Sequence, residues 1–224
     1  MNVCQRCPRA SSCLPARVTL NHSFEFESRT FKKGEHVLYQ GQSSQYLYIL
    51  RAGALKSYTV QKNGDEFVMG FYFPTDLFGW EAIDAEQRTI SVVALDQSNI
   101  CVIPTQKLFL LTQNIPSLNN QLLQMISRRI QQDNTALLRT TAEQRVATFL
   151  LQLAMRYQVV GFSANPLHLH MTHQDIANYL RITPSTISRI FHQWEKQQWI
   201  ALKNHLISLV DVRSLQRVAE RADY

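Results

Sequence analysis

The sequence predicts an α+β chain in which a β module, one long helix and a C-terminal helical module follow in order. Three observations lead there. Between Arg29 and Pro104, short segments rich in Val, Ile, Tyr and Phe alternate with turn signals, the pattern of a sandwich or barrel. Ile115 to Leu138 contains no glycine, and its only proline, Pro116, sits in a first turn, where it is tolerated. Beyond Thr141, capping patterns introduce helices that carry apolar residues on one side. Of the 224 residues, 45% are hydrophobic and 18% charged, which suits a chain with a buried core and not a disordered one.

The β module is read from Gln45 to Leu50, Phe67 to Phe73, Thr89 to Leu95 and Ser98 to Ile103. Asn63-Gly64 predicts a tight hairpin turn with positive φ at both central residues. Ile115 to Leu138 reads as a single helix of ~24 residues, about 36 Å long. Along it, Leu123, Ile126, Ile130, Asp133 and Leu137 follow a 3-4-3-4 spacing, the seam of a two-helix coiled coil. Asp133 interrupts that stripe. Two such carboxylates ~5 Å apart at an effective dielectric of ~20 repel by about 3 kcal/mol, roughly a hundredfold in an equilibrium constant. The alternatives are that Arg129, one turn earlier, pairs with Asp133, or that the carboxylate turns to water.

Thr141 with Gln144 forms a capping box that opens a helix running to about Tyr157. Thr172 with Asp175 opens a shorter helix through Leu180. Thr183 caps another, with Pro184 at the first helical position, where its missing N–H costs nothing. Its inner side carries Ile187, Ile190, Phe191 and Trp194, so Ser185, Ser188, Arg189 and His192 face outward. Ile200 to Val210, with Asn204 near its middle, suits a β wing. Two short helices and a tight turn fit helix-turn-helix geometry, whose second helix enters the DNA major groove; an ordinary helical hairpin is the alternative. From Ala142 onward there are nine basic and six acidic side chains, so affinity for DNA must come from a few placed contacts and a dimer.

Three of the four cysteines, Cys4, Cys7 and Cys13, follow C-x2-C-x5-C in CQRCPRASSC, and the fourth, Cys101, stands in NICVIP. In a reducing compartment such clustering points to metal or redox chemistry and not to disulfides. Four thiolates suit an iron–sulfur cluster and also zinc, while a lone Cys101 also packs well as a small hydrophobe. The residues alone leave these three open. Arg6, Arg9 and Arg17 surround the thiols with no acidic residue between them, and positive charge favours thiolates. A chain end is ordered only when tied down. The seven histidines, five of them after residue 160, show no ligand spacing. With no catalytic constellation, an enzyme is not expected. No apolar run approaches the ~18 residues that span a bilayer, and no secretory signal opens the chain. A cytoplasmic protein without a membrane partner is expected.

Together these motifs resemble the CRP/FNR superfamily of bacterial transcription regulators. The cysteines, GDE at Gly64 to Glu66 and TISR at Thr186 to Arg189 resemble its FNR branch, and the resemblance spans nearly the whole chain. It implies a cluster-binding segment at 1–28, a β-roll sensor of the cyclic-nucleotide-binding jelly-roll type at 29–113, a dimerisation helix at 114–140 and a winged helix-turn-helix at 141–224. It further implies a 4Fe-4S cluster on Cys4, Cys7, Cys13 and Cys101, held at low oxygen and degraded by it. The homodimer it stabilises would bind an inverted repeat of double-stranded DNA. Gln174, Thr183, Ser185, Thr186, Ser188 and Arg189 are the implied DNA contacts, and Gly64 and Asp65 an implied RNA polymerase contact. Ser185 departs from the glutamate usual in the family, so discrimination at its base pair is expected to fall by ~1–3 kcal/mol. Gly79 is followed by Trp80, not the glutamate of nucleotide-binding members, so no cyclic nucleotide is expected. A zinc-bound or metal-free DNA-binding regulator and an iron–sulfur electron carrier are the alternative readings.

Overall fold

A strand that is apolar on both faces must be covered on both sides of its sheet, and YLYIL and NICVIP have that character. The computed structural model, which describes residues 27–43, 45–83, 87–135 and 137–220, shows how each is covered. The chain divides into two units, Met1–Arg129 and Ile130–Tyr224. In the first, the described strands are β1 (Glu27–Phe31), β2 (His36–Leu38), β3 (Tyr46–Ala52), β4 (Leu55–Val60), β5 (Glu66–Tyr72), β6 (Leu77–Phe78), β7 (Ser91–Ala94) and β8 (Ser98–Pro104). They form two four-stranded antiparallel sheets, ordered β1-β8-β3-β6 and β2-β7-β4-β5. This is the expected β-roll.

Because side chains alternate along a strand, β3 and β8 each feed two cores. Tyr48, Leu50, Ile100 and Val102 join Leu55, Tyr72, Phe78 and Val92 between the sheets. Leu47, Ile49, Cys101 and Ile103 belong to a second core, closed by Leu108 and Leu111 of α1 (Thr105–Asn114) and Leu118 of α2 (Pro116–Thr135). The sequence offered no sign of α1, since Pro104 before it makes no side-chain cap. Ile115 separates the two helices at φ −131 and ψ 87, because a residue preceding proline is driven out of the helical region.

Helix α2 is shorter than expected. It ends at Thr135. Leu137 therefore lies in the turn beyond it, and the apolar seam continues on helix only as far as position 133. The Asn63-Gly64 turn also differs. Only Gly64 has positive φ, 87°, and Gln61 pairs with Asp65 around a three-residue loop. That is a type I turn closed by a left-handed glycine, held by Asn63 Oδ1 accepting from the Asp65 N–H at 3.1 Å.

Arg129 pins α2 to the roll. Its guanidinium donates to the Phe71 carbonyl at 2.9 Å, stands 3.8 Å from Asp76 and lies 4.2 Å above the Tyr72 ring. Methionine there keeps much of the bulk but leaves a buried carbonyl and a carboxylate with less compensation. Arg129→Met is expected to lower unfolding free energy by about 2–4 kcal/mol, measured by urea titration; a loss below about 0.5 kcal/mol would show that the pair only breaks even.

In the second unit the described elements are α3 (Ala142–Val159), β9 (Leu167–His168), α4 (His173–Leu180), α5 (Pro184–Lys196), β10 (Ile200–Lys203), β11 (Leu206–Leu209) and α6 (Val212–Glu220). The strands form a small antiparallel sheet, β10-β11-β9. The capping box on α3 is present, the Thr141 hydroxyl accepting from the Gln144 N–H while Gln144 Oε1 accepts from the Thr141 N–H. Val146, Ala147, Leu150 and Leu153 are buried along α3, which packs on α6. Helix α6, absent from the sequence reading, starts where Asp211 accepts from the Ser214 N–H and hydroxyl. These bonds hold the Asp211 carboxyl below the usual aspartate range.

Candidate nucleic-acid interface

Two capped helices set the interface. At the start of α4, the Thr172 hydroxyl accepts from the Asp175 N–H at 3.1 Å, and Asp175 Oδ2 accepts from the Thr172 N–H at 3.0 Å. The helix stops at Arg181, whose φ of 57° and ψ of 45° are left-handed. The Ile182 N–H then reaches back to the Ala177 carbonyl at 3.0 Å, a Schellman-type closure. Arg145 of α3 donates to the Leu180 carbonyl at 3.1 Å, tying α4's end to the unit's scaffold.

Helix α5 follows after Thr183, whose hydroxyl accepts from the Thr186 N–H at 3.2 Å. Ile187, Ile190, Phe191 and Trp194 are buried on its inner side, as the 3.6-residue period requires. Ser185, Ser188, Arg189 and His192 are exposed on the other. Gln174, near the start of α4, is exposed, while Thr186 is half-buried. The hydroxyls are already engaged. Thr183 Oγ1 lies 2.8 Å from both Ser185 Oγ and Thr186 Oγ1, and Ser188 donates to the Pro184 carbonyl at 3.1 Å. Arg189 presents five N–H donors at the surface, the group best matched to a guanine edge. The wing is present too: β10 and β11 turn at Asn204, with φ 55°, and Glu195 of α5 accepts from the Leu202 N–H at 3.1 Å.

The cysteine site is partly in view. Cys4, Cys7 and Cys13 lie outside the described residues. Cys101 is 2% exposed at the middle of β8, opposite Ile49 of β3 and Ser28 of β1. Among the described residues, no three His, Cys, Asp or Glu side chains converge as metal ligands. Of the seam residues, Leu123 and Ile130 are 58% and 54% exposed and Ile126 is half-buried. Asp133 belongs to α2, and its side chain lies outside the described part. Gly64 and Asp65 stand exposed at the β4–β5 tip.

The sequence reading missed two groupings. Arg88 is buried, donating to the Gly79 and Tyr46 carbonyls at 2.7 Å each and to Glu81 at 3.1 Å. The rings of His168, the last residue of β9, and His170, two residues beyond it, come together with centroids 4.3 Å apart.

Comparison with known proteins agrees with this geometry. Residues 28–114 match the cyclic nucleotide-binding domain family, and residues 144–218 match the Crp-like helix-turn-helix domain. The transcriptional activator protein Anr of Pseudomonas protegens is 34% identical over 216 residues, covering 93% of this chain and 88% of its own. The chain belongs to the CRP/FNR family of transcription regulators. The fumarate and nitrate reduction regulatory protein of Escherichia coli K12 is 31% identical, covering 96% of this chain and 90% of its own. FixK2 from Bradyrhizobium japonicum shares the fold with a TM-score of 0.79 at 24% identity, over 89% of this chain and 100% of its own. As a CRP/FNR regulator the chain is a DNA-binding protein and not an enzyme. Among the described residues, no helix is long and apolar enough to cross a membrane.

Proposed function

We propose that this CRP/FNR regulator is oxygen-responsive: Cys4, Cys7, Cys13 and Cys101 hold a 4Fe-4S cluster, two chains pair along α2, and the dimer binds an inverted-repeat DNA site. The supporting observation is the placement of Cys101. Strand β1 begins at Glu27, and its next residue, Ser28, stands directly opposite Cys101. The first described residues after Cys13 thus pair with the strand that bears Cys101. Cys13 is fourteen residues before Glu27, an extended reach of about 46–50 Å, which is ample. Four thiolates complete the donor set of such a cluster.

When bound, the cluster supplies an oxidant-labile cross-link between the chain end and β8. The chain's own residues carry its effect outward. Cys101 shares its core with Leu118, Leu122 and Met125 of α2, and the exposed Leu123 and Ile130 lie on the same helix. A change in packing at Cys101 therefore bears on the helix that carries the dimer seam. Two recognition helices in a two-fold dimer stand about 34 Å apart, one DNA turn. Arg189 would grip guanine, Ser185 and Ser188 would reach neighbouring base edges, and Gln174, Thr183 and Thr186 would position the helices on phosphates. Gly64 and Asp65 would meet RNA polymerase. This reading expects no cyclic nucleotide, and it is supported by Arg88 donating to the Gly79 and Tyr46 carbonyls and to Glu81.

Protein purified without oxygen is expected to be brown and to bleach in air, with four iron and four sulfide per chain, and to lose the colour on replacement of Cys101 by serine. A colourless anaerobic preparation with one zinc per chain would replace this reading.

A further inference from the structure

Of the four side chains that α5 turns outward, three are assigned to base edges and the fourth, His192, to nothing. It lies seven positions after Ser185 and four after Ser188. At 3.6 residues per turn it stands within about 20° of the first and about 40° of the second around the helix, about 10 Å beyond Ser185 along the axis. Ile190, Phe191 and Trp194 are buried and fix the rotation of α5, so His192 is held outward and exposed. Among the described residues it makes no hydrogen bond, ion pair or ring contact, whereas the hydroxyls of Ser185 and Ser188 are engaged within the chain. Its ring nitrogens are open to a ligand.

The N-terminal residues of a recognition helix meet base edges. A group about 10 Å further on has crossed most of the ~12 Å width of the major groove and meets the phosphates at its wall. From Ala142 onward, nine basic and six acidic side chains leave three net positive charges. One added cation per subunit at the DNA surface is therefore a large increment.

The charged groups of α5 within a turn or so of His192 are Arg189, Glu195 and Lys196. Glu195 accepts from the Leu202 N–H at 3.1 Å, which directs its carboxylate to β10. Among elements packed on α5, α4 brings His173, whose ring meets Phe191 with centroids 5.2 Å apart, and Asp175, bound to Thr172. Arg181 follows α4 and donates to the Asn178 carbonyl at 3.4 Å; α3 brings Arg145, donating to the Arg139 and Leu180 carbonyls; β10 ends at Lys203. Among the described residues none of them forms an ion pair with His192.

We propose that His192 is a phosphate contact that acts when its imidazole is protonated, so that DNA binding by this chain tightens as the solution turns acidic. Histidine changes charge between about pH 5 and pH 8. A phosphate beside the ring favours the charged form, so the complex holds more protons than the free chain, and affinity falls as pH rises through that window. The proposal rests on α5 lying in the major groove and not on the iron–sulfur cluster.

The test uses the full-length chain prepared without oxygen and a duplex that it selects from randomised DNA. Fluorescence anisotropy is read at about pH 6 and about pH 8 over a range of salt. The unaltered chain is expected to bind about tenfold or more tighter at the acid pH, a dimer making two such contacts. Its plot of log affinity against log salt should steepen there by about 1.8, for two more phosphates neutralised. His192→Gln keeps a neutral hydrogen-bonding side chain and should lose that tightening and that extra slope. His192→Lys, charged throughout, should show the steeper slope at both pH values. Responses from His173 or His205 are common to all three chains and cancel in the comparison. The same pH response and slope in His192→Gln as in the unaltered chain overturns the proposal, and so does an equal loss of affinity at both pH values. A selected duplex without an inverted repeat would defeat the dimer reading, while the difference between the unaltered chain and His192→Gln still decides this one.

Discussion

Replacing Arg189 with alanine is expected to weaken binding to the proposed inverted-repeat site by roughly 30-fold to 20,000-fold. Each bidentate contact to guanine carries about 1–3 kcal/mol of discrimination, and a dimer makes two, which converts to that range. The side chain is exposed on α5, while Ile187, Ile190, Phe191 and Trp194 hold that helix in place. Stability should therefore change by no more than about 0.5 kcal/mol. Fluorescence anisotropy at several salt concentrations separates the two ways the residue can act. A base contact loses affinity for the specific site while the salt slope stays the same; a phosphate contact loses affinity on all sequences, with a shallower slope. The second pattern would remove Arg189 from the reading role.

Asp133→Ala is expected to shift the cluster-free chain toward dimer by about a hundredfold. Position 133 lies seven residues beyond Ile126 and three beyond Ile130, so the helix repeat returns it to the face bearing those residues. Leu123 and Ile130 leave more than half their surface exposed, an apolar stripe with which a second copy gains by pairing. Against that gain, two facing carboxylates at ~5 Å and an effective dielectric of ~20 cost about 3 kcal/mol. Asp133→Asn, similar in shape without the charge, should move the equilibrium the same way. Sedimentation of both apo-variants as pure monomers would defeat the account. Arg129 is already engaged with Phe71, Asp76 and Tyr72, so its main visible role is to fasten α2 to the roll.

Much of the second unit could be read in advance because its signals are local. A threonine with a partner three residues on specifies a capped start whatever surrounds it, and Thr141, Thr172 and Thr183 each do so. Proline at a first helical position and asparagine at a wing turn act in the same way. The misreadings came where distant chain decides. Helix α1 has no cap and owes its place to Leu108 and Leu111 packing over Leu47, Ile49 and Cys101. Helix α6 depends on packing against α3. The end of α2 was overrun because an apolar spacing continues through Leu137 after helix has stopped.

The sequence by itself determined the order of modules, the inner and outer faces of α5, and the four thiols, since these depend on residue type and short spacing. The tertiary structure alone decided that Ser28 stands against Cys101 and that Arg88 turns to Gly79, Tyr46 and Glu81. Each of these depends on strand pairing, which no local pattern encodes, because sheet partners are selected by burial across long stretches of chain.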